Sequence, residues 1–169
     1  MNAPVCRRFY RKCEDFNLCI NIGDKGFVLA EHSSERYTIF YYGLYGSGKF
    51  GKIFESDFIT LDAKDKKLVD VKSYVNSEVI FQSNEDFCII GFNTLDKSID
   101  WDARLLDEGE TTLTENSSSI LICLDGSVTV DGVVLNRYNY SKINPSQQYS
   151  LQISENTVVA LFTKIVTNS

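Results

Sequence analysis

The stretch that decides the fold is ILICLDGSVTVDGVVLNRYNYSKINPSQQYSLQISENTVVALFT, residues 120–163. In and around it, β-branched and aromatic residues come in short runs at 119–124, 127–130, 133–135, 140–143, 149–153 and 157–165, divided by Gly, Asp, Asn and Ser. That is the pattern of strands separated by turns. Asp131-Gly132 predicts a tight hairpin, because Gly accepts the positive φ such turns require. No long helical period interrupts the runs, which disfavours a parallel βαβ sheet.

The same texture extends toward the N-terminus, with candidate strands at 26–31, 37–42, 52–54, 58–61, 67–71, 79–82 and 87–92. The two series echo each other. VIFQSNEDFCIIGFN, 79–93, aligns without gaps on YSLQISENTVVALFT, 149–163, matching Gln82 to Gln152, Glu85 to Glu155 and Phe92 to Phe162. A second echo sets TIFYYG, 38–43, on LICLDG, 121–126, and so Gly43 on Gly126. The expectation is two similar halves, 24–95 and 96–169, preceded by an arm at 1–23.

In the arm, Phe9, Cys13, Phe16 and Ile20 recur at spacings of 4, 3 and 4, which suits a short amphipathic helix; an edge strand suits the aromatics equally well. RRFYRK, 7–12, interleaves cations with aromatics, so Arg7, Arg8, Phe9, Tyr10 and Arg11 are candidates for contact with an acidic partner or a phosphate backbone. The junction DKSIDWDARLLDEGE, 96–110, carries six acidic and two basic residues and reads as a surface lead into the second half. Within it Trp101 reads either as ordinary packing of the junction onto its own domain or as an anchor against the other half or a partner.

Composition bounds the rest. The 169 residues are 43% hydrophobic, with eleven Phe and nine Tyr, enough for a continuous core. The formal net charge of -6 disfavours nucleic-acid binding over the whole surface. No apolar run is long enough to cross a bilayer and no secretory leader is visible, so the expected setting is the cytoplasm or an assembled virion, without membrane contact. Cys6, Cys13, Cys19, Cys88 and Cys123 are odd in number and form no Cys-x-x-Cys pair, which predicts reduced thiols rather than a disulfide framework or structural zinc.

The opening stretch resembles the second part of a cupin domain, in which a strand ends in a Gly turn, here Gly126, a hairpin turns at Asp131-Gly132, and a Pro-containing loop, here Pro145, leads into 149–153. The resemblance implies an all-β chain of two small antiparallel jelly-roll units packed together, like a compact bicupin. The family's metal ligands are absent. Its two histidines and glutamate fall on Leu113, Glu115 and Ser119, and the later histidine falls on Tyr149, with Val79 at the matching place of the first half. A lone carboxylate does not hold a divalent cation, so neither metal nor other cofactor is expected.

Further motifs weaken on inspection. GLYGSGKFG, 43–51, overlays a Walker A spacing and a dinucleotide fingerprint. Phe50 follows Lys49 where Ser or Thr would meet magnesium, and the next residues alternate like a strand instead of opening a phosphate-binding helix. The loop instead makes Tyr45, Lys49 and Phe50 candidates for an adaptable contact surface, with Tyr41 and Tyr42 nearby. His32, beside Ser33, Ser34, Glu31 and Glu35, has the ingredients of a triad but neighbours in one strand do not align as one. Glu108, Glu110 and Glu115 are the carboxylates available for glycoside chemistry. No catalytic residue is assigned.

Two functional expectations remain. The first is a noncatalytic structural or interaction module assembling with itself or another protein; the Asn, Lys and Ile usage resembles AT-rich phage or microbial proteins and suggests a particle decoration or adaptor component. The alternative is a metal-independent small-molecule-binding or isomerase-like cupin, its ligand met by Cys123, Arg137, Tyr140 and Tyr149.

Overall fold

The computed structural model describes residues 3–31, 37–52, 58–74, 79–94, 96 and 98–165. The chain divides into two units, Met1–Asp96 and Lys97–Ser169. The first holds β1 (Cys6–Cys13), β2 (Phe16–Gly23), β3 (Val28–Glu31), β4 (Tyr37–Tyr45), β5 (Ser47–Lys52), β6 (Phe58–Asp62), β7 (Leu68–Asp70), β8 (Val79–Ser83) and β9 (Phe87–Thr94). Its two antiparallel sheets run β1-β2-β9-β4-β7 and β3-β8-β5-β6. The second holds β10 (Asp100–Leu105), β11 (Thr112–Thr114), β12 (Ser119–Asp125), β13 (Ser127–Val130), β14 (Val133–Asn136), β15 (Tyr140–Ile143), β16 (Gln148–Ile153) and β17 (Val158–Ile165). Its sheets run β10-β17-β12-β15 and β11-β16-β13-β14.

These orders are the same order twice. Exchanging β2, β9, β4 and β7 for β10, β17, β12 and β15 turns one large sheet into the other, and β3, β8, β5 and β6 map in the same way onto β11, β16, β13 and β14. One strand is left over. Among the described residues, β1 has no counterpart in the second unit.

The register fixes which residues correspond. Tyr42 pairs with Ile90 as Ile122 pairs with Ala160, and Tyr45 pairs with Cys88 as Asp125 pairs with Val158. Both ladders shift register just before that last pair, between Gly43 and Tyr45 and between Cys123 and Asp125. The echo of 79–93 on 149–163 therefore coincides with β8–β9 and β16–β17, while the echo at 38–43 needs a correction of three residues. Gly46, not Gly43, is the counterpart of Gly126. Both sit at positive φ, 86° and 78°, and a Cβ would fall 2.3 Å from the Asp86 carbonyl oxygen in one and 2.4 Å from Thr157 Oγ1 in the other. In a glycine-rich run, the backbone conformation, not the letter, identifies the equivalent turn.

Residues 6–23 are not a helical arm. They form the hairpin β1–β2, turned at Glu14–Asp15 with Glu14 at φ 50°, and the helix-like spacing of Phe9, Cys13, Phe16 and Ile20 straddles that turn. The acidic junction likewise holds a strand, β10, paired with β17 along its length. The stretch 43–51 is the end of β4, a turn and β5; Gly48 lies where a Cβ would sit 2.3 Å from the Phe81 ring.

Each unit has its own core between its two sheets. In the first, Tyr41, Phe50, Phe81 and Phe87 form a chain of ring contacts at centroid distances of 4.4, 4.7 and 5.2 Å, packed with Leu29, Leu61 and Ile89. In the second, Leu121, Cys123, Val159 and Leu161 meet Leu113, Val128, Tyr149 and Leu151. Alternation accounts for both sets, since every second side chain of a strand faces the opposing sheet.

Candidate functional site

The hairpin β1–β2 and the turn before β9 build an open groove on the first unit. Val5, Arg7, Phe9, Ile22, Gly23, Asp24, Tyr45 and Asp86 line a space of about 440 Å³. The local ladder explains the grouping. Arg7 lies opposite Ile22 and Phe9 opposite Ile20, so alternate residues of β1 project on the side where Ile22 emerges. Gly23 pairs with Phe87 and Cys88 with Tyr45, which brings the ends of β2, β9 and β4 level.

Two carboxylates pin this end. Asp24 Oδ2 accepts the Val5 N–H at 3.0 Å, and the Asp24 N–H donates to the Val5 carbonyl at 3.0 Å. Asp86 Oδ1 accepts the Lys25 N–H at 2.8 Å. Beside Arg7 and these carboxylates, four hydrophobic lining residues face solvent: Val5 is 57% exposed, Phe9 52%, Tyr45 49% and Ile22 38%. Burial of one edge, with the Cys88 thiol and Asp86 beside it, raises the Tyr45 phenol above its ordinary range, keeping it neutral.

Of the interaction candidates, Arg7, Phe9 and Tyr45 are brought together here. Arg8, Tyr10 and Arg11 are exposed on the same strand, and Lys49 is exposed on β5 with Nζ 5.9 Å from the Phe58 ring. Two candidates do not stand as surface residues. Phe50 is wholly buried in the aromatic core, because β5 alternates and Phe50 points toward Phe81. Trp101 is 1% exposed with Lys164 Nζ 5.6 Å above its ring, so its indole is an interior group. Tyr41 and Tyr42 are buried as well.

The ligand candidates are buried to different degrees. Cys123 and Tyr149 belong to the apolar core of the second unit; the Cys123 thiol donates to the Asp125 and Gly126 carbonyls and burial pushes its pKa to about 11. Tyr149 Oη accepts the Asn144 N–H at 2.9 Å. Arg137 is ion-paired with Asp125 on the outside, and Tyr140 is half-buried. The Glu108, Glu110 and Glu115 carboxylates are engaged locally, the first by the Asn156 N–H and the other two by Arg104. His32 lies outside the described residues.

Val5, Ile22, Asp24 and Asp86 were missed by sequence reasoning. Glu14–Asp15 as a two-residue turn between strand-like runs was the available signal, since it sets Ile22 across from Arg7.

Neither a protein-family model nor a curated protein sequence matches the chain. Solved structures do. The chain is similar to AerE from Microcystis aeruginosa, at TM-score 0.64 and 9% identity over 98% of this chain and 97% of that one. It is similar to a Cupin 2 conserved barrel domain protein from Leptotrichia buccalis, at 0.53 and 10% over 96% and 89%. A third is the bacterial pirin YhhW from Escherichia coli, solved in complex with nickel(II), at 0.57 and 10% over 95% and 98%.

A metal does not fit the corresponding positions of this chain. Leu113 and Tyr149 are core residues, Glu115 is 3.4 Å from the Arg104 guanidinium, and the Ser119 hydroxyl is bonded to the Ser117 carbonyl and Thr163 hydroxyl. Among the described residues no group of three or more His, Cys, Asp and Glu is placed to hold an ion, and none of the described helices is long and apolar enough to cross a membrane. The fold is the all-β jelly roll of the cupin-type barrel proteins.

Proposed function

We propose that the protein is a noncatalytic interaction module that binds a protein partner through the groove beside β1. The observation that carries this reading is the gathering of Val5, Phe9, Ile22 and Tyr45, all exposed, around Arg7 in one groove of about 440 Å³. Exposed apolar residues clustered with an arginine and aromatics are the composition of binding surfaces. The metal-independent small-molecule reading is compatible with the fold. The space between the sheets favours the interaction reading, because Phe50, Phe81, Phe87, Leu121, Cys123 and Val159 fill it at zero exposure. No observation bears on a virion role, and the reading does not include one.

Native mass determination of the complex isolated from the source organism tests it. A defined protein complex that dissociates when Phe9→Ala and Tyr45→Ala are combined is the expected result. A monomer carrying a small molecule would overturn the reading.

A further inference from the structure

The groove beside β1 carries both signs of charge, and they are held apart. Val5, Arg7 and Phe9 share a face of the chain, each about 7 Å from the next, because alternate side chains of a strand project on the same side. At one end the Asp24 carboxylate is tied to the Val5 N–H and the Asp86 carboxylate to the Lys25 N–H, so both acids keep their places. Among the described residues Arg7 stands in no ion pair, although two carboxylates line the same opening.

The apolar surface is concentrated at the same place. Of the ten large hydrophobic side chains exposed among the described residues, Val5, Phe9, Ile22 and Tyr45 line this groove. Clustering of that kind marks a surface that is covered in the working molecule. The repeated sheet order is complete without β1, so the wall that β1 contributes does not serve closure of the fold.

We infer that the groove is the interface of a two-fold homodimer, in which Arg7 of each copy meets Asp24 of the other and Phe9 of each packs on the exposed Val5 of the other. This rests on the proposed interaction function and names the partner, a second copy of this chain. Charge selects it. A partner of one sign is opposed by one part of the groove, an acidic segment or a nucleic acid by Asp24 and Asp86 and a basic segment by Arg7. A second copy brings both signs in a matching arrangement. A two-fold axis passing between Val5 and Arg7 of two facing, antiparallel β1 strands sets the Asp24 tied to Val5 against Arg7 of the other copy, and repeats the contact on the far side. An axis through Arg7 itself would set guanidinium against guanidinium, so charge fixes the register as well as the partner. A self-complementary patch of this type closes at two copies.

Sedimentation equilibrium of the purified full chain over a concentration series tests the inference. A monomer–dimer equilibrium is expected, its dissociation constant raised about tenfold or more by Arg7→Glu, by Asp24→Lys and by Phe9→Ala. Val134→Ala, on an exposed strand of the second unit, is expected to leave it unchanged. Mixing Arg7→Glu with Asp24→Lys restores an opposite pair at both contacts of a heterodimer, so the mixture is expected to associate more tightly than either variant alone. Circular dichroism shows whether Asp24→Lys keeps the fold; should it not, Arg7→Glu and Phe9→Ala carry the test. A monomer at every concentration, a dimer that Arg7→Glu and Phe9→Ala leave unchanged, or folded variants that do not recover on mixing would overturn the inference. The mass of the native complex separates it from the broader reading. A dimer of this chain supports both; a complex with a different protein, lost in the Phe9→Ala and Tyr45→Ala double variant, overturns the homodimer and leaves the interaction reading standing; a native monomer defeats both.

Discussion

Arg7 stands directly across the β1–β2 ladder from Ile22, so a guanidinium and a partly exposed isoleucine project side by side into one groove. Neither is required by the core, whose aromatic chain lies on the other face of the sheet with Gly23 and Phe87. Partly exposed positions outside that aromatic chain are where substitutions separate binding from stability. Arg7→Ala and Ile22→Ser are expected to shift unfolding free energy by less than about 1 kcal/mol, while removing partner binding. Urea melts beside a binding assay read the two effects.

The interior behaves differently. Phe81 is wholly buried between Phe50 and Phe87, and Phe81→Ala leaves a cavity that this stacked arrangement is poorly able to refill. Destabilisation of about 3–5 kcal/mol is expected, measured by the denaturation midpoint at unchanged slope.

Three positive-φ glycines give an internal control. A Cβ added at Gly132, φ 82°, would meet open space, whereas one added at Gly46 or Gly126 would be driven into Asp86–Phe87 or Thr157. Gly132→Ala is expected to cost on the order of 1 kcal/mol from backbone strain alone. Gly46→Ala and Gly126→Ala are expected to cost more than that, and by similar amounts, because they occupy the same turn of a repeated fold. Thermal midpoints of the three variants test the order.

Burial raises the thiols of Cys13 and Cys123 from 9.0 to about 11. The protonated form is favoured in the folded chain, so their contribution is fully present below the unfolded value and is lost as pH rises from about 9 through about 11. Stability should fall across that window. Cys123→Ala is expected to flatten the fall relative to the parent chain, and native-state alkylation at pH 8 is expected to reach the half-buried Cys6 before the four buried thiols.

How much of this the sequence disclosed depended on the type of signal. Period-two alternation at 119–124 sets Leu121 and Cys123 on one face of β12, and both lie in the core of the second unit. The gapless echo at 79–93 located equivalent strands because hairpin geometry preserves spacing. β1 and β2 were harder to read. Nearly every residue of β2 is buried, which erases alternation, and nearly every residue of β1 is exposed, which does the same from the opposite side. Phe50 was misplaced for a related reason: a glycine-rich run suggests a loop, whereas Gly48 is there to admit the Phe81 ring. The groove was not legible, because Val5, Ile22, Tyr45 and Asp86 become neighbours only through the sheet.

Hydrogen–deuterium exchange of the full chain, free and in its isolated native complex, tests most directly whether β1 is the working surface. Protection gained at residues 5–13 and 22–24, with the strands of both cores unchanged, is the predicted result. Unchanged exchange along β1 with protection gained in β12 and β16 would contradict it, moving the binding event from the edge strand to the interior of the second unit.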